Sequence, residues 1–121
     1  MTQTQSAEEK ARLKKQWTDL AIQQALASQW EEAVITNRNI LNLFPSEPDA
    51  YNRLGKAYSE LGQYAEARQA YTQTLKYSPD NTIARMARAL TQWAMRTSKG
   101  WTVFIGPLSA WVSVPYIASG R

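Results

Sequence analysis

The chain has 121 residues, of which 44% are hydrophobic and 20% are charged, so it is sized for one domain with a modest core. It contains neither cysteine nor histidine, which excludes disulfides, thiolate metal sites and a histidine general base. The other residues show no nucleophile–base pair, phosphate-binding loop or calcium-loop cluster of acids, so we expect no enzyme, no cofactor and no metal.

The formal net charge of +4 is unevenly distributed along the chain. Up to Asn81, nine basic residues stand against ten acidic ones; after it there are five basic residues and no acid. A basic C-terminal third favours an acidic partner, although a solvated helix face is the simpler interpretation. The N-terminal residues are polar and lack the apolar stretch of a secretory signal, so we expect a cytoplasmic protein.

An internal repeat organises most of the chain. A shift of 34 residues aligns the sequence with itself, and the residues match in kind as well as in place. Large aromatic residues, leucines, alanines and prolines each fall on a residue of the same type: Trp17 on Tyr51, Leu20 on Leu54, Trp30 on Tyr64, Ala33 on Ala67, and Pro45 on Pro79.

The first unit, residues 14–47, is predicted to be a pair of helices. Its first helix carries an apolar stripe from Trp17 to Gln24, and a break is expected near Ser28. Its second helix carries a stripe from Trp30 to Leu41 and ends at Phe44-Pro45.

The second unit, residues 48–81, repeats this pattern. Pro48 opens the first helix, where its missing N–H does no harm, and the stripe of Tyr51, Leu54, Gly55 and Tyr58 follows. Gly62 ends the first helix, and a second apolar stripe then runs from Tyr64 through Ala67 and Tyr71 to Leu75. The second helix is expected to end before Pro79, which cannot continue it.

Small residues stand where paired helices would cross. Gly55 and Ala67 let the two backbones approach, and the aromatic rings fill the space around them. Because the aromatic, small and proline positions recur at the same spacing in both units, the sequence resembles the tetratricopeptide repeat family. It departs from that family at Gln24 and Asn37, where bulky apolar residues are usual, and at Thr74, where alanine is usual.

The resemblance implies an all-α fold of antiparallel helix hairpins that form a short right-handed superhelix. Residues 82–97 are predicted to be one further helix, with Asp80, Asn81 or Thr82 as the N-cap. Arg85 and Arg88 replace the family's aromatic and leucine there, so we interpret this helix as a cap that closes the apolar end of the array. Residues 1–97 would then be the helical domain. Trp93 either packs on the second repeat or contacts a second copy of the chain.

Residues 98–121 differ abruptly in composition. No charged residue occurs between Gly100 and Gly120, and Pro107 and Pro115 interrupt the segment. We expect an apolar, non-helical tail, and four interpretations stay open: a hairpin, an extended segment in a repeat groove, a membrane contact, or a piece foreign to the scaffold.

The family resemblance implies that the first helix of each pair lines a concave groove that binds peptides. Asn52, Arg53 and Lys56 are the leading candidates, because an amide can pair with a peptide backbone and cations with a carboxylate. The full set of predicted groove residues is Lys15, Thr18, Ile22, Asp49, Asn52, Arg53, Lys56 and Met86, with Asp19, Ala25, Ser59, Ile83, Ala87 and Leu90 beside them.

Two functions compete at this point. The first is a protein–protein interaction scaffold, or adaptor, that binds a protein or peptide segment in the groove. The second is a self-associating structural module, such as a homodimer, in which the third helix and the tail drive assembly. Binding of nucleic acid or a membrane surface through the basic residues and the tail is a lesser alternative.

Overall fold

The computed structural model describes residues 6–97, which form five α-helices. These are α1 (Ala7–Leu26), α2 (Trp30–Leu43), α3 (Pro48–Glu60), α4 (Tyr64–Tyr77) and α5 (Thr82–Arg96). Each helix packs mainly against its neighbours in the chain, and α1 also touches α3. The predicted all-α fold of helix hairpins is therefore confirmed. The right-handed superhelical sense stays a prediction of the resemblance.

The two hairpin turns have the same backbone geometry, 34 residues apart. Ser28 and Gly62 both adopt a left-handed conformation, with φ of 59° and 78°. In each turn the next residue donates its N–H to a carbonyl five positions earlier, from Gln29 to Gln24 and from Gln63 to Tyr58, both over 2.8 Å. This hydrogen bond is typical of an α-helix that ends with one residue in the left-handed conformation, a position that favours glycine.

Side chains mark several of the helix starts. The Ser6 hydroxyl accepts from the Glu9 N–H over 3.1 Å, and the Glu9 carboxylate accepts from the Ser6 N–H in return. Pro48 occupies the first turn of α3. Asn81 Oδ1 accepts from the Ala84 N–H over 2.8 Å, so Asn81 is the N-cap of α5 among the three residues predicted.

Gly55 of α3 lies directly against the ring of Tyr71 of α4. A Cβ atom added at Gly55 would lie 2.7 Å from Cε1 of the Tyr71 ring, which is itself buried. The core around this contact includes Leu54, Ala57, Ala67 and Ala84. Small residues thus stand where the paired helices meet, as the sequence predicted.

Helix α5 packs on the second repeat in a way the cap interpretation did not anticipate. Ala84 and Thr91 are buried, whereas Ile83, Met86, Leu90 and Trp93 are 57% to 68% exposed. We call these four residues the α5 stripe. Trp93 therefore does not simply pack on the second repeat, and α5 presents apolar surface of its own. The cause is helical phase, since the stripe and the buried pair lie on different sides of α5.

The other side of α5 is polar. Arg85, Arg88 and Gln92 correspond, after the 34-residue shift, to Tyr51, Leu54 and Tyr58, which pack α3 against its partner helix. Arg85 and Gln92 are exposed, and Arg88 is half-buried. We call this side the outer face of α5.

The predictions for residues 98–121 lie outside the described residues. Among the five helices of residues 6–97, none combines the length and the apolar character needed to cross a membrane.

Candidate functional site

A concave groove of about 640 Å³ runs across all five helices. It is the clearest site for a ligand in the described part of the chain, because most of its lining is apolar. The groove is lined by Ala21 and Ala25 of α1; Trp30, Ala33 and Asn37 of α2; Asn52, Arg53, Lys56 and Ser59 of α3; Tyr64 and Tyr71 of α4; and Ile83, Ala87, Leu90, Thr91, Trp93 and Ala94 of α5.

The two long walls of the groove differ in chemistry although they are equivalent in the repeat. Arg53 and Lys56 of α3 correspond to Ala87 and Leu90 of α5 after the 34-residue shift, and all four residues line the groove. One wall is therefore polar and cationic, and the opposite wall is apolar. A ligand that fits both walls has apolar side chains on one side and an acceptor or a negative charge on the other.

Arg53 is held in place by a residue of the first repeat. Its Nε donates to Asn37 Oδ1 over 2.9 Å, and Asn37 Nδ2 donates to the Ala33 carbonyl over 2.8 Å. Asn37 is only 1% exposed, so its amide has little freedom to turn. Burial lowers the pKa of the Arg53 guanidinium, and the nearby carboxylates of Asp49 and Glu47 oppose this shift. Arginine nevertheless stays charged.

Lys56 supplies a second cation at the same wall. Its Nζ pairs with Glu60 Oε2 over 2.8 Å and lies 6.0 Å from the centre of the Trp30 ring. The hydrogen bond to Glu60 raises the pKa of Lys56. Because Lys56 is exposed, this pairing adds little to stability, and the ammonium can turn toward a ligand.

Asn52 carries an unused acceptor in the wall of the groove. Its Oδ1 is buried and has no hydrogen-bond partner within residues 6–97. Such an atom is normally paired, and leaving it unpaired costs about 1–3 kcal/mol. Rotation about the terminal torsion of Asn52 would present this oxygen to a donor in the groove.

Tyr71 of α4 lines the groove and is almost completely buried. Burial raises the pKa of its hydroxyl, while a hydrogen bond with Ser59 acts in the opposite direction. The neutral phenol is the form that the folded protein favours.

The structure divides the predicted groove residues into two sets. Asn52, Arg53 and Lys56 line the groove together, as do Ala25, Ser59, Ile83, Ala87 and Leu90 from the wider set. The lining does not include Lys15, Thr18, Ile22, Asp49, Met86 or Asp19. Lys15 instead pairs with Asp19 over 3.2 Å on exposed helix surface, and Ile22 and Met86 are exposed apolar residues.

The second helices of the hairpins contribute lining residues that the sequence analysis did not place in the groove. They are Trp30, Ala33, Asn37, Tyr64 and Tyr71, and Trp93 of α5 joins them. The 34-residue shift pairs Trp30 with Tyr64 and Asn37 with Tyr71. That pairing was a usable signal, because residues in phase on successive helices face the same side of a stacked array.

A second depression, of about 680 Å³, shares no lining residue with the groove. Arg38, Arg68 and Arg88 line it together with Glu66 and several glutamines and aromatic residues. Its polar and apolar surfaces are mixed, and no buried polar atom within it lacks a partner among the described residues. The groove is therefore the better candidate. Residues 6–97 contain no cluster of three potential metal ligands.

Comparison with known proteins identifies the repeat. The family model for the tetratricopeptide repeat matches residues 48–81, the span of α3, α4 and the turns that follow them. No curated protein matches the chain. The match and the helix hairpin of α3 and α4 identify residues 48–81 as a tetratricopeptide repeat, a unit that generally serves in protein–protein interaction.

Proposed function

We propose that this protein is a non-catalytic interaction module that binds a peptide segment in its groove. The ligand carries apolar side chains toward α5 and a carboxylate toward Arg53 and Lys56. The single observation that supports this most directly is the contrast between the two walls, which occupy equivalent positions in the repeat but have opposite chemistry.

The apolar wall supplies binding free energy. Leu90 and Trp93 line the groove and are 65% and 57% exposed, so a ligand that covers them removes apolar surface from water. Full burial of one such side chain is worth about 1.5–3 kcal/mol. Two such contacts contribute about 3–6 kcal/mol before the cost of association, so the polar wall has to contribute as well.

The polar wall supplies orientation. The Nε of Arg53 donates a hydrogen bond to Asn37 Oδ1, and this bond fixes the plane of the guanidinium before a ligand binds. A carboxylate can then accept from the other guanidinium nitrogens, and Lys56 adds a second positive charge nearby. Asn52 offers a hydrogen-bond acceptor to a backbone N–H of the ligand.

Selection of displayed random peptides against the full chain tests this proposal. The enriched peptides should combine acidic and apolar residues, and their affinity should be measured by fluorescence anisotropy. Arg53→Gln should weaken binding by about tenfold, which corresponds to ~1.4 kcal/mol. Leu90→Ser should weaken binding by a similar factor because it removes apolar contact.

Two control variants match these changes outside the groove. Arg38→Gln removes an exposed arginine of α2, and Leu26→Ser removes a leucine that is 82% exposed. Both should bind the selected peptides as the wild type does. The proposal fails if the controls weaken binding as much as the groove variants, or if no peptide is enriched.

Self-association through α5 is the second candidate function, and the exposure of the α5 stripe favours it. Sedimentation velocity over a range of concentrations should then show an oligomer that Leu90→Ser disrupts and Leu26→Ser does not. A monomer at every concentration would exclude it. The cytoplasmic location expected from the sequence stays a prediction.

A further inference from the structure

The groove opens next to the point where the chain leaves the last helix. The α5 stripe runs from Ile83 to Trp93, and Trp93 lies one turn before Thr97, the C-cap of α5. Residues 98–121 follow directly in the sequence, one helical turn after Trp93. We infer that the apolar part of this segment, residues 101–117, occupies the groove of its own chain and must be displaced by a partner.

The composition of the segment suits the apolar wall. It contains Val103, Phe104, Ile105, Leu108 and Trp111 and has no charged residue from Gly100 to Gly120. An apolar segment of this length is seldom left uncovered by a protein in water. The α5 stripe is the exposed apolar surface nearest to it along the chain.

Charge favours this segment over the α5 of a second copy. Arg85, Arg88 and Arg96 give α5 three positive charges and no negative one, and Arg53 and Lys56 stand on the opposite wall. A second α5 placed in the groove would bring like charges together. An uncharged segment meets no such repulsion, whereas an acidic partner gains attraction and can compete.

The backbone chemistry of the segment also fits. Proline is unfavourable inside a helix, so the presence of Pro107 and Pro115 makes us expect peptide N–H groups in the segment that are free to bind an acceptor. The unpaired Asn52 Oδ1 needs such a donor. A helical occupant could offer few, because its N–H groups are bonded internally.

The geometry allows the chain to turn back into the groove. The α5 stripe covers ten residue steps of helix, a length of about 15 Å. The connection through Ser98, Lys99 and Gly100 can span about 10 Å when extended. A short tether also keeps the segment at an effective concentration near the millimolar range. The apparent dissociation constant of a partner then rises in inverse proportion to the fraction of chains whose groove is empty.

The occupancy of the groove by residues 101–117 does not depend on the proposed function, but its role in controlling partner binding does. Paramagnetic broadening in the full chain tests the occupancy in the absence of any peptide. Ser109→Cys introduces a thiol into a chain that has no other cysteine, so a nitroxide label attaches at one place.

The label should broaden the methyl signals of Ile83 and Leu90 strongly. The methyl signals of Ile35, an exposed residue of α2 that does not line the groove, should change little. The broadening should persist on dilution. A mixture of isotope-labelled chains without nitroxide and unlabelled chains with nitroxide should show no broadening. Equal effects at all three residues, or broadening in the mixture, would overturn the inference; the second result would indicate exchange between copies.

Competition then tests the regulatory part. Ile105→Lys places a positive charge in the segment, which Arg53 and Lys56 repel, and should tighten the binding of a selected acidic peptide by about tenfold. Ile35→Lys places the same charge on exposed α2 and should leave binding unchanged. If the label shows occupancy but neither variant alters peptide affinity, the regulatory role is wrong. If no peptide binds any variant, the proposed function fails while the occupancy stands.

Discussion

Arg53 donates a hydrogen bond to Asn37 Oδ1 over 2.9 Å, and this contact joins the second repeat to the first at the wall of the groove. Asn37 stands at the position that Tyr71 occupies one repeat later. The smaller side chain leaves room for the guanidinium and gives it an acceptor. A departure from the family pattern therefore belongs to the candidate site.

The first prediction concerns this pair. Asn37→Leu restores the family's apolar type but removes the acceptor of the half-buried Arg53, so unfolding free energy should fall by about 1–3 kcal/mol. Adding Arg53→Met should recover most of that loss, because neither residue then needs a partner. Urea unfolding of both single variants and the double variant gives the coupling energy. A double variant no more stable than Asn37→Leu alone would show that the two residues are not coupled.

The second prediction concerns the contact of Gly55 with Tyr71. Gly55→Ala places a methyl group 2.7 Å from the buried ring, and overpacking of this kind costs about 1–3 kcal/mol. The gain in helix propensity of about 1 kcal/mol offsets only part of it. In a Tyr71→Leu background the ring is gone, so Gly55→Ala should become neutral or stabilising. Thermal unfolding of the four proteins measures this, and equal losses in both backgrounds would contradict the steric explanation.

The third prediction concerns the two hairpin turns. Ser28 adopts φ of 59° where the equivalent turn uses Gly62 at 78°. The left-handed conformation costs a residue with a Cβ about 1–2 kcal/mol. Ser28→Gly should therefore stabilise the protein by about 1 kcal/mol, and Gly62→Ala should destabilise it by a similar amount. Denaturant midpoints of the two variants should shift in opposite directions; a shift in the same direction would refute the backbone argument.

The fourth prediction concerns alkaline pH. Burial raises the pKa of Tyr71 in the folded protein above its value in the unfolded chain. The neutral phenol therefore contributes fully to stability below about pH 10, the ordinary tyrosine value, and that contribution is lost as pH rises through the folded pKa. Tyr71→Phe should reduce the fall in unfolding free energy above pH 10. A Tyr71→Phe protein whose unfolding free energy falls above pH 10 as steeply as that of the wild type would contradict this explanation.

Much of the fold was predictable because the same sequence pattern occurs in both repeats, so each helix and turn of the hairpin is indicated twice. The break at Ser28 could be inferred from Gly62, and the helix start at Pro48 follows from the chemistry of proline. The orientation of the α5 stripe was harder to predict. Helical periodicity shows that apolar residues share a face, but it does not show which neighbour covers that face.

Candidate site residues were predicted on α1, α3 and α5 alone. Asn52, Arg53 and Lys56 line the groove, and their role in binding stays a prediction of the resemblance. Trp30, Asn37 and Tyr71 were interpreted as packing residues because they belong to the second helices of the hairpins. The 34-residue pairing indicates that residues such as Trp30 and Tyr64 face the same side of the array. It does not show that their side chains reach the groove surface, since that depends on how closely Gly55 and its equivalent, Ala21, let the helices approach.

The outer face of α5 has a consequence for engineering. Arg85, Arg88, Ala89 and Gln92 stand where α3 has Tyr51, Leu54, Gly55 and Tyr58, the residues with which it receives α4. Transplanting those four residues onto α5 would recreate a docking face for a grafted copy of α4. Each such addition would lengthen the recognition surface by one 34-residue module, so the footprint of a ligand could be enlarged stepwise without altering the groove already present.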